Sequence, residues 1–490
     1  MTFNKKAFQK CIRPNCGATF GIRSIITSCQ FCGSLIDITY DFDDLPVPHP
    51  ISTRATHFST DSSKGATHLS EAAALGATHL STSRQGDGNV IWGSGVWRFH
   101  EFLPFASLDS CVTVGEGRTI LQLADGLAKR IGLRPNRLYL QYEGMNPSGS
   151  FKDNGMAAAL THAKIVGAKL AACASTGNTS ASLAMYAGVT GDFQAVVFVG
   201  SDKIAFGKLA QALDYGALTI QIQGDFDDAM RRVCEASTEL KMYLVNSLNP
   251  FRIEGQKTIM LRVLEVLDWQ VPDWIVVPGG NLGNSSAFGK IFAELKQHGL
   301  IDRIPRMAII NARGAATLDY LVNQKRLEWA GGEYDSRVAN EYYDHLRASG
   351  TKARTVASAI EINQPVNLPK CLRALEVTNG VVRSVSDAQI LDAKALVGRY
   401  GFGCEPASAA TVAGVRSMIA EGIINPDDRV VCVLTGHALK DPNVTVDYHT
   451  DPLGPESGKA DRVSFANSPV VVANDIDAII AAIRNRLDKI

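Results

Sequence analysis

Asn146-Pro-Ser148-Gly-Ser-Phe-Lys152-Asp153-Asn-Gly-Met156 sets one lysine in a loop of small residues directly before an Ala-rich helical run. A lysine that forms a Schiff base with an aldehyde cofactor must lie close to the carbonyl and spend part of its time as a free amine. Burial and a helix N-terminus both favour the uncharged form, and Lys152 has the sequence context for both. The same letters also suit a surface lysine at a helix start, so the reading rests on what accompanies it.

Two segments accompany it. Trp274-Ile-Val-Val-Pro-Gly279-Gly280-Asn281-Leu282-Gly283-Asn284-Ser285 is an apolar strand-like run ending in a glycine-rich turn, with a helical pattern from Ala287 to Gln297. Strand, glycine loop and helix N-terminus make a cradle of backbone N–H groups for a phosphate. Gly279, Gly280 and Gly283 let the backbone approach the anion, and Asn281 and Asn284 can cap the helix or donate to phosphate oxygens. The second segment, Ala174-Ser175-Thr176-Gly177-Asn178-Thr179-Ser180, follows the apolar run Ala168 to Ala174 and precedes Ala181 to Ala187. Its hydroxyls and amides suit a carboxylate or phosphate, and Asn178 suits a phenolic oxygen; a plain helix-capping loop is the alternative.

With these three loops in this order, the stretch from about Trp92 to Tyr448 resembles the threonine synthases, pyridoxal-phosphate enzymes of the tryptophan synthase β-like fold. The resemblance implies that Lys152 carries the Schiff base to the cofactor and that Asn178 holds its phenolic oxygen. It assigns the 5'-phosphate to Gly279, Gly280, Asn281, Leu282, Gly283 and Asn284. In Val433-Leu-Thr435-Gly436-His437-Ala-Leu-Lys440-Asp441 it places Thr435 at the pyridine nitrogen. A hydroxyl cannot stabilise a pyridinium charge as an aspartate does, so the ring is expected to stay largely neutral, a sink suited to elimination and replacement.

The run Asn246-Ser247-Leu-Asn249-Pro250-Phe-Arg252-Ile-Glu254-Gly255-Gln256-Lys257 turns at Pro250 and starts a helix. Arginine's planar fork matches a phosphate or carboxylate in two hydrogen bonds. The resemblance implies that Arg252 helps bind the substrate's phosphate together with the hydroxyls of Ser175 and Thr179, and substrate contacts are also expected from Lys257, Ser148 and Thr176. The activity implied is conversion of O-phospho-L-homoserine and water to L-threonine and phosphate by γ-elimination and β-addition. Alternatives are another lyase or β-replacement enzyme of the same fold, acting like a cysteate synthase on O-phosphoserine or like a threonine dehydratase, and a catalytically silent binding homologue.

Composition fits a large enzyme. Lys plus Arg equals Asp plus Glu at 49 each, so nothing draws the chain electrostatically to nucleic acid. Met1 to Lys10 has no apolar h-region and no run is long enough to span a bilayer. A cytoplasmic location is expected, and the fold implies a homodimer. Six cysteines (Cys111, Cys173, Cys234, Cys371, Cys404, Cys432) stand singly and read as buried free thiols. The other four, Cys11-x4-Cys16-x12-Cys29-x2-Cys32, have the spacing of a four-thiolate structural zinc site, whose loss would unfold the N-terminal segment without disabling Lys152. Ala-Thr-His-x-Ser recurs at His57, His68 and His79 with a spacing of 11 residues, among Ser, Thr, Gly and Ala; it reads as a duplicated linker without function.

The expected fold is α/β: the two-domain type II pyridoxal-phosphate fold with an N-terminal zinc-ribbon-like extension. Residues 1–50 form the ribbon and 51–89 the linker. Residues 90–156 and 247–450 form the large cofactor-binding domain, 157–246 the small domain, and 451–490 a tail with one helix. Buried strands are expected at Leu138 to Tyr142, Ala195 to Val199, Leu218 to Ile222, Trp274 to Val277, Met307 to Asn311 and Val430 to Leu434.

Overall fold

The computed structural model describes residues 7–42, 93–175, 177–200, 206–223, 226–450 and 465–487; Thr176, the histidine repeat and the whole 51–89 segment lie outside them. The strands are β1 (Ala7–Cys11), β2 (Thr19–Gly21), β3 (Ile36–Tyr40), β4 (Ile120–Leu123), β5 (Leu138–Tyr142), β6 (Leu170–Ala174), β7 (Gln194–Gly200), β8 (Leu218–Ile222), β9 (Tyr243–Leu244), β10 (Trp274–Pro278), β11 (Arg306–Ala312), β12 (Val381–Val385) and β13 (Val430–Leu434). They build three sheets, ordered β2-β1-β3, β12-β11-β10-β13-β5-β4 and β8-β7-β6-β9. In the six-stranded sheet β4 alone is antiparallel to its neighbour, and the four-stranded sheet is wholly parallel.

Parallel sheets are covered by helices on both faces, so their strands are apolar on both sides. Every residue of β10 and β13 is buried. Alternation sends Ile275 and Val277 into a core with Ile259, Phe288 and Phe292, and Trp274 and Val276 into one with Leu140, Val412 and Met418. The order β10-β13-β5 puts three strands side by side whose carboxyl ends lead into the glycine loop, Thr435 and the Lys152 loop. Open α/β sheets bind ligands beyond those ends. In the other sheet, β6 leads into Asn178.

Two glycines set the approach of the helices that carry Lys152 (Lys152–Ile165) and Arg252 (Pro250–Val266). A Cβ on Gly255 would lie 1.9 Å from the Asn154 carbonyl oxygen, and one on Gly155 would lie 2.9 Å from that of Arg252. Backbone therefore meets backbone at this crossing. Of the single cysteines, Cys173, Cys371, Cys404 and Cys432 are buried as expected, but Cys234 is exposed and Cys111 intermediate. The helix Phe226–Leu240 turns Ala229 and Val233 inward, which leaves Cys234 on its outer side.

In the ribbon the four sulfur atoms of Cys11, Cys16, Cys29 and Cys32 lie within 4.8 Å of one another. Cys11 and Cys32 are 3.5 Å apart and Cys16 and Cys29 3.7 Å. A tetrahedral Zn–S₄ centre with bonds of about 2.3 Å requires edges of about 3.8 Å, so these thiols can hold zinc. The ribbon is also bound into the body. Asp37 pairs with Lys370 at 3.1 Å and Arg373 at 2.5 Å, the Lys370 ammonium donates to the Ile36 carbonyl, and Tyr40 donates to Glu254 at 2.8 Å. Ile38 and Tyr40 pack in one core with Ala157 and Leu160 of the Lys152 helix. The ribbon thus shares a core with the helix that Lys152 opens.

Three outcomes follow from this packing. Burial would raise the Asp37 carboxyl, but Arg373, Lys370 and Lys290 outweigh it and hold it well below the usual carboxylate range. Its contribution is therefore present above the unfolded-state value near pH 4 and is lost as pH falls below it. Asp37→Asn should cost about 3–5 kcal/mol in chemical denaturation at neutral pH, because it strands two cations, and much less in strong acid. Gly255→Ala should force the crossing helices apart and cost about 1–3 kcal/mol or more, again read by denaturation. Stripping metal with a strong chelator should release zinc and make residues 7–42 susceptible to protease; unchanged digestion would show that the cluster does not support the ribbon.

Candidate active site

The Lys152 loop is fixed before the lysine is reached. Buried Glu143 accepts from Asn146 at 2.8 Å, Asn154 at 2.7 Å and Arg262 at 2.8 Å. Gly149 turns the chain with φ +85°, in the left-handed region that glycine tolerates. The Ser148 N–H and hydroxyl both donate to Asp153, at 2.7 and 2.6 Å, and Ser182 adds a third bond at 2.6 Å. Burial raises the Asp153 carboxyl to about 6 despite those donors. Phe151 N–H donates to the Thr435 carbonyl at 2.9 Å, which ties this loop to the end of β13.

Lys152 opens its helix, with its ammonium nitrogen 4.0 Å from the centroid of the Phe151 ring. Burial, and then the nearby Arg252 guanidinium, lower the amine to about 7, while Glu405 opposes them. A substantial share of the lysine is thus free base at neutral pH, against roughly one molecule in 2,500 for an ordinary lysine.

Around it stand the cofactor candidates. Asn178 begins the helix Asn178–Thr190; its Nδ2 donates to Glu405 Oε2 at 2.9 Å, and its buried Oδ1 has no partner. Thr435 donates to Glu405 Oε1 at 3.0 Å and lies 2.9 Å from the Ser408 hydroxyl. The glycine loop leaves β10 and enters the helix Gly283–Gln297 through Leu282, which takes φ +64°. A Cβ on Gly279 would sit 2.6 Å from Asn311 Nδ2, one on Gly280 3.1 Å from the Ala359 carbonyl, and one on Gly283 3.0 Å from Gln256 Oε1. The helix begins four residues earlier than its apolar pattern indicates, so its free N–H groups fall within the loop. The Asn281 side chain is 3.5 Å from the Val366 N–H, and Asn284 Oδ1 is buried without a partner. Glycine cradle, helix N-terminus, orphaned amide oxygens and a partly neutral lysine fit pyridoxal phosphate.

The substrate candidates divide. Arg252 is buried; Nη1 donates to the Val245 carbonyl at 2.9 Å, Nε has no partner, and no carboxylate pairs with it among the described residues. Burial lowers even this guanidinium, to about 10. Burial of such a cation is costly, and an anion brought against it would offset the cost. Ser175 is partly buried, its hydroxyl accepting from Gly177 N–H at 3.1 Å, and Thr179 is buried. Ser148 is committed to Asp153, as described above. Lys257 is a correction: it pairs with Glu254 at 2.7 Å and Glu294 at 2.8 Å, and it is 3.4 Å from the Phe102 carbonyl. An ammonium has three protons, so Lys257 is a structural cation with none left for substrate.

Three residues here were given no role from the sequence. Glu405, fully buried, bridges Asn178 and Thr435; as the residue before Pro406 at a helix start it reads as a cap. Gln256 keeps a buried Oε1 without a partner beside Gly283. Lys440 is buried against Gly149, and its ammonium donates to Gln211.

Residues 112–436 match the family model described as pyridoxal-phosphate dependent enzyme. The threonine synthase of Methanocaldococcus jannaschii is 37% identical over 446 residues, covering 91% of this chain and 96% of that protein. The threonine synthase of Methanosarcina acetivorans is also 37% identical, covering 97% and 98%. The processed form of threonine deaminase isoform 2 from Solanum lycopersicum superposes with a TM-score of 0.55 at 16% identity, over 74% of this chain and 89% of that one, and so shares the fold. The fold is the α/β type II pyridoxal-phosphate fold with a zinc-ribbon-like extension, and the chain belongs to the pyridoxal-phosphate dependent enzyme family and, within it, to the threonine synthases.

Proposed function

We propose that this chain converts O-phospho-L-homoserine and water to L-threonine and phosphate. The observation that carries the reading is the buried Arg252 guanidinium, without a carboxylate partner among the described residues and close enough to Lys152 to depress its amine. An anionic substrate answers that cation, and Arg252 binds its phosphate with Ser175, Thr176 and Thr179. Ser148, held by Asp153, shapes the loop that faces the substrate. Bound pyridoxal phosphate supplies the electron sink that makes carbon acids of the substrate's α and β positions. The glycine loop 279–284 holds its phosphate, and Asn178 and Thr435 hold its ring.

Lys152 is the proton carrier. A group titrating near neutrality is the most effective at both taking and returning protons, so the amine takes the α proton and, once rid of it, a β proton. Two protons are returned, one to the γ-carbon that loses phosphate and one to the α-carbon, and the proton given up by the water that adds at the β-carbon goes to the departing phosphate. The phosphate leaves against Arg252, whose charge stabilises the developing anion. The sheet within 157–246 and the larger sheet form the two domains that enclose these steps. As in the resemblance stated above, the working form is a homodimer of the cytoplasm.

Phosphate and L-threonine should appear in equal amounts when the cofactor-loaded protein is given O-phospho-L-homoserine. O-phospho-L-serine with sulfite, and L-threonine alone, should be poor substrates, and turnover restricted to either one would replace this reading. Lys152→Ala should abolish both turnover and the absorbance of the covalently held cofactor. Capture of pyridoxal phosphate by the cofactor-free protein should rise with pH around a midpoint near 7, where the amine is released, and not near 10. Arg252→Gln should lower kcat/KM about 10- to 100-fold, the worth of one charge-assisted contact. It should also move the acid limb of the pH profile upward, because a cation that depressed Lys152 is gone.

A further inference from the structure

Glu405 is fully buried, has no cationic partner among the described residues, and divides its two oxygens between two other side chains. Oε2 accepts from the Asn178 amide at 2.9 Å and Oε1 from the Thr435 hydroxyl at 3.0 Å. The carboxyl packs closely against Gly436, where a Cβ would come within 2.6 Å of its Cδ, so only a residue without a side chain leaves it this place. An ionised carboxylate only accepts hydrogen bonds. The single Thr435 proton is therefore committed to Glu405, and Ser408, which accepts from Gly436 N–H at 3.0 Å, donates its own proton to Thr435.

We infer that Glu405 is the positioning residue of the cofactor ring: one carboxylate shared by Asn178 and Thr435 orients both ring-contacting side chains and keeps a negative charge one hydrogen bond from the ring nitrogen. The inference rests on the functional reading above and adds a residue to it. The Asn178 amide cannot flip, since its oxygen would then face a carboxylate. Thr435 presents a lone pair, not a proton, to what stands before it. A neutral ring follows from Thr435 acting alone; with Glu405 behind it, the site favours a ring nitrogen that bears or shares a proton. The same charge supports positive charge on the Lys152 nitrogen, in line with the opposition of Glu405 to the lowering of that amine.

The test uses the full chain with Glu405→Gln and Glu405→Asp, following cofactor affinity by titration and bound-cofactor absorbance against pH. Gln keeps the shape, removes the charge and sets an NH₂ against one of two donors. Its cofactor dissociation constant should rise about tenfold or more, and the pH at which the absorbance changes should fall. Asp keeps the charge but is one carbon too short to span Asn178 and Thr435, so affinity should fall while that pH stays near the wild-type value. A purely structural carboxylate would move thermal stability in both variants and leave the absorbance midpoint unchanged. Equal midpoints in wild type and Glu405→Gln, or undiminished affinity in Glu405→Asp, overturn the inference. A wild-type chain that takes up no pyridoxal phosphate overturns the functional reading instead.

Discussion

The active-site region depends on setting the buried Arg252 guanidinium beside the half-buried Lys152 amine. Lys152 and Arg252 both lose water, both titrate below their ordinary values, and Arg252 has no carboxylate among the described residues to offset the loss. Uncompensated burial of charge is among the largest penalties a fold can carry. Here it keeps an amine reactive at neutral pH and holds a place for anions. The arrangement persists only because the Arg252 helix cannot retreat from the Lys152 helix.

Two features hold it there. At Gly155 and Gly255 the helices touch backbone to backbone, so the separation is set by main-chain contact and not by flexible side chains. On the same Arg252 helix, Glu254 and Lys257 join Lys290 and Glu294 in a buried ion-pair cluster that anchors it to the glycine-loop helix. A buried pair that loses one member leaves an uncompensated charge, and this cluster therefore resists any sliding of one helix along the other. The strained cation is thus balanced by satisfied ones a turn away.

Much of this was legible in the sequence, for a definite reason. All six expected strands form, and five are buried, because parallel strands covered on both faces are short apolar runs with loops at each end; Leu218–Ile222, expected to be buried, is instead an edge strand of exposed and half-buried residues. Lys152, Asn178, the glycine loop and Thr435 stand where such runs stop. What could not be read depends on partners remote in the chain. Arg252 and Lys257 are five positions apart, about 140° around a helix; Glu254, three positions before Lys257, is a local partner for it, but one such neighbour leaves two ammonium protons unaccounted for. The deciding residue, Glu294, lies 37 positions beyond Lys257. Glu405 was hidden in the same way, since a carboxylate before Pro406 looks like a cap until Asn178, 227 residues away, is brought against it. The helix start at Gly283 was missed because its first turn carries no apolar pattern.

The ribbon follows the same logic of register. β3 pairs with β1 so that Ile36 stands opposite Cys11 and Asp37 opposite Lys10. Ile38 and Tyr40 enter the core of the Lys152 helix, and Asp37 meets Lys370 and Arg373. In a strand the side-chain period is two, so a slip of one residue exchanges the faces. It would drive the Asp37 carboxylate toward the apolar side and leave the buried Lys370 and the half-buried Arg373 without that anion. Cys11 ends β1 and is one of the four thiols of the cluster, so a metal held there fixes the end of the strand against which β3 is aligned. Such a centre need not touch substrate to matter: by clamping the register of β3 it determines which side chain reaches Glu254, and so what supports the helix that carries Arg252.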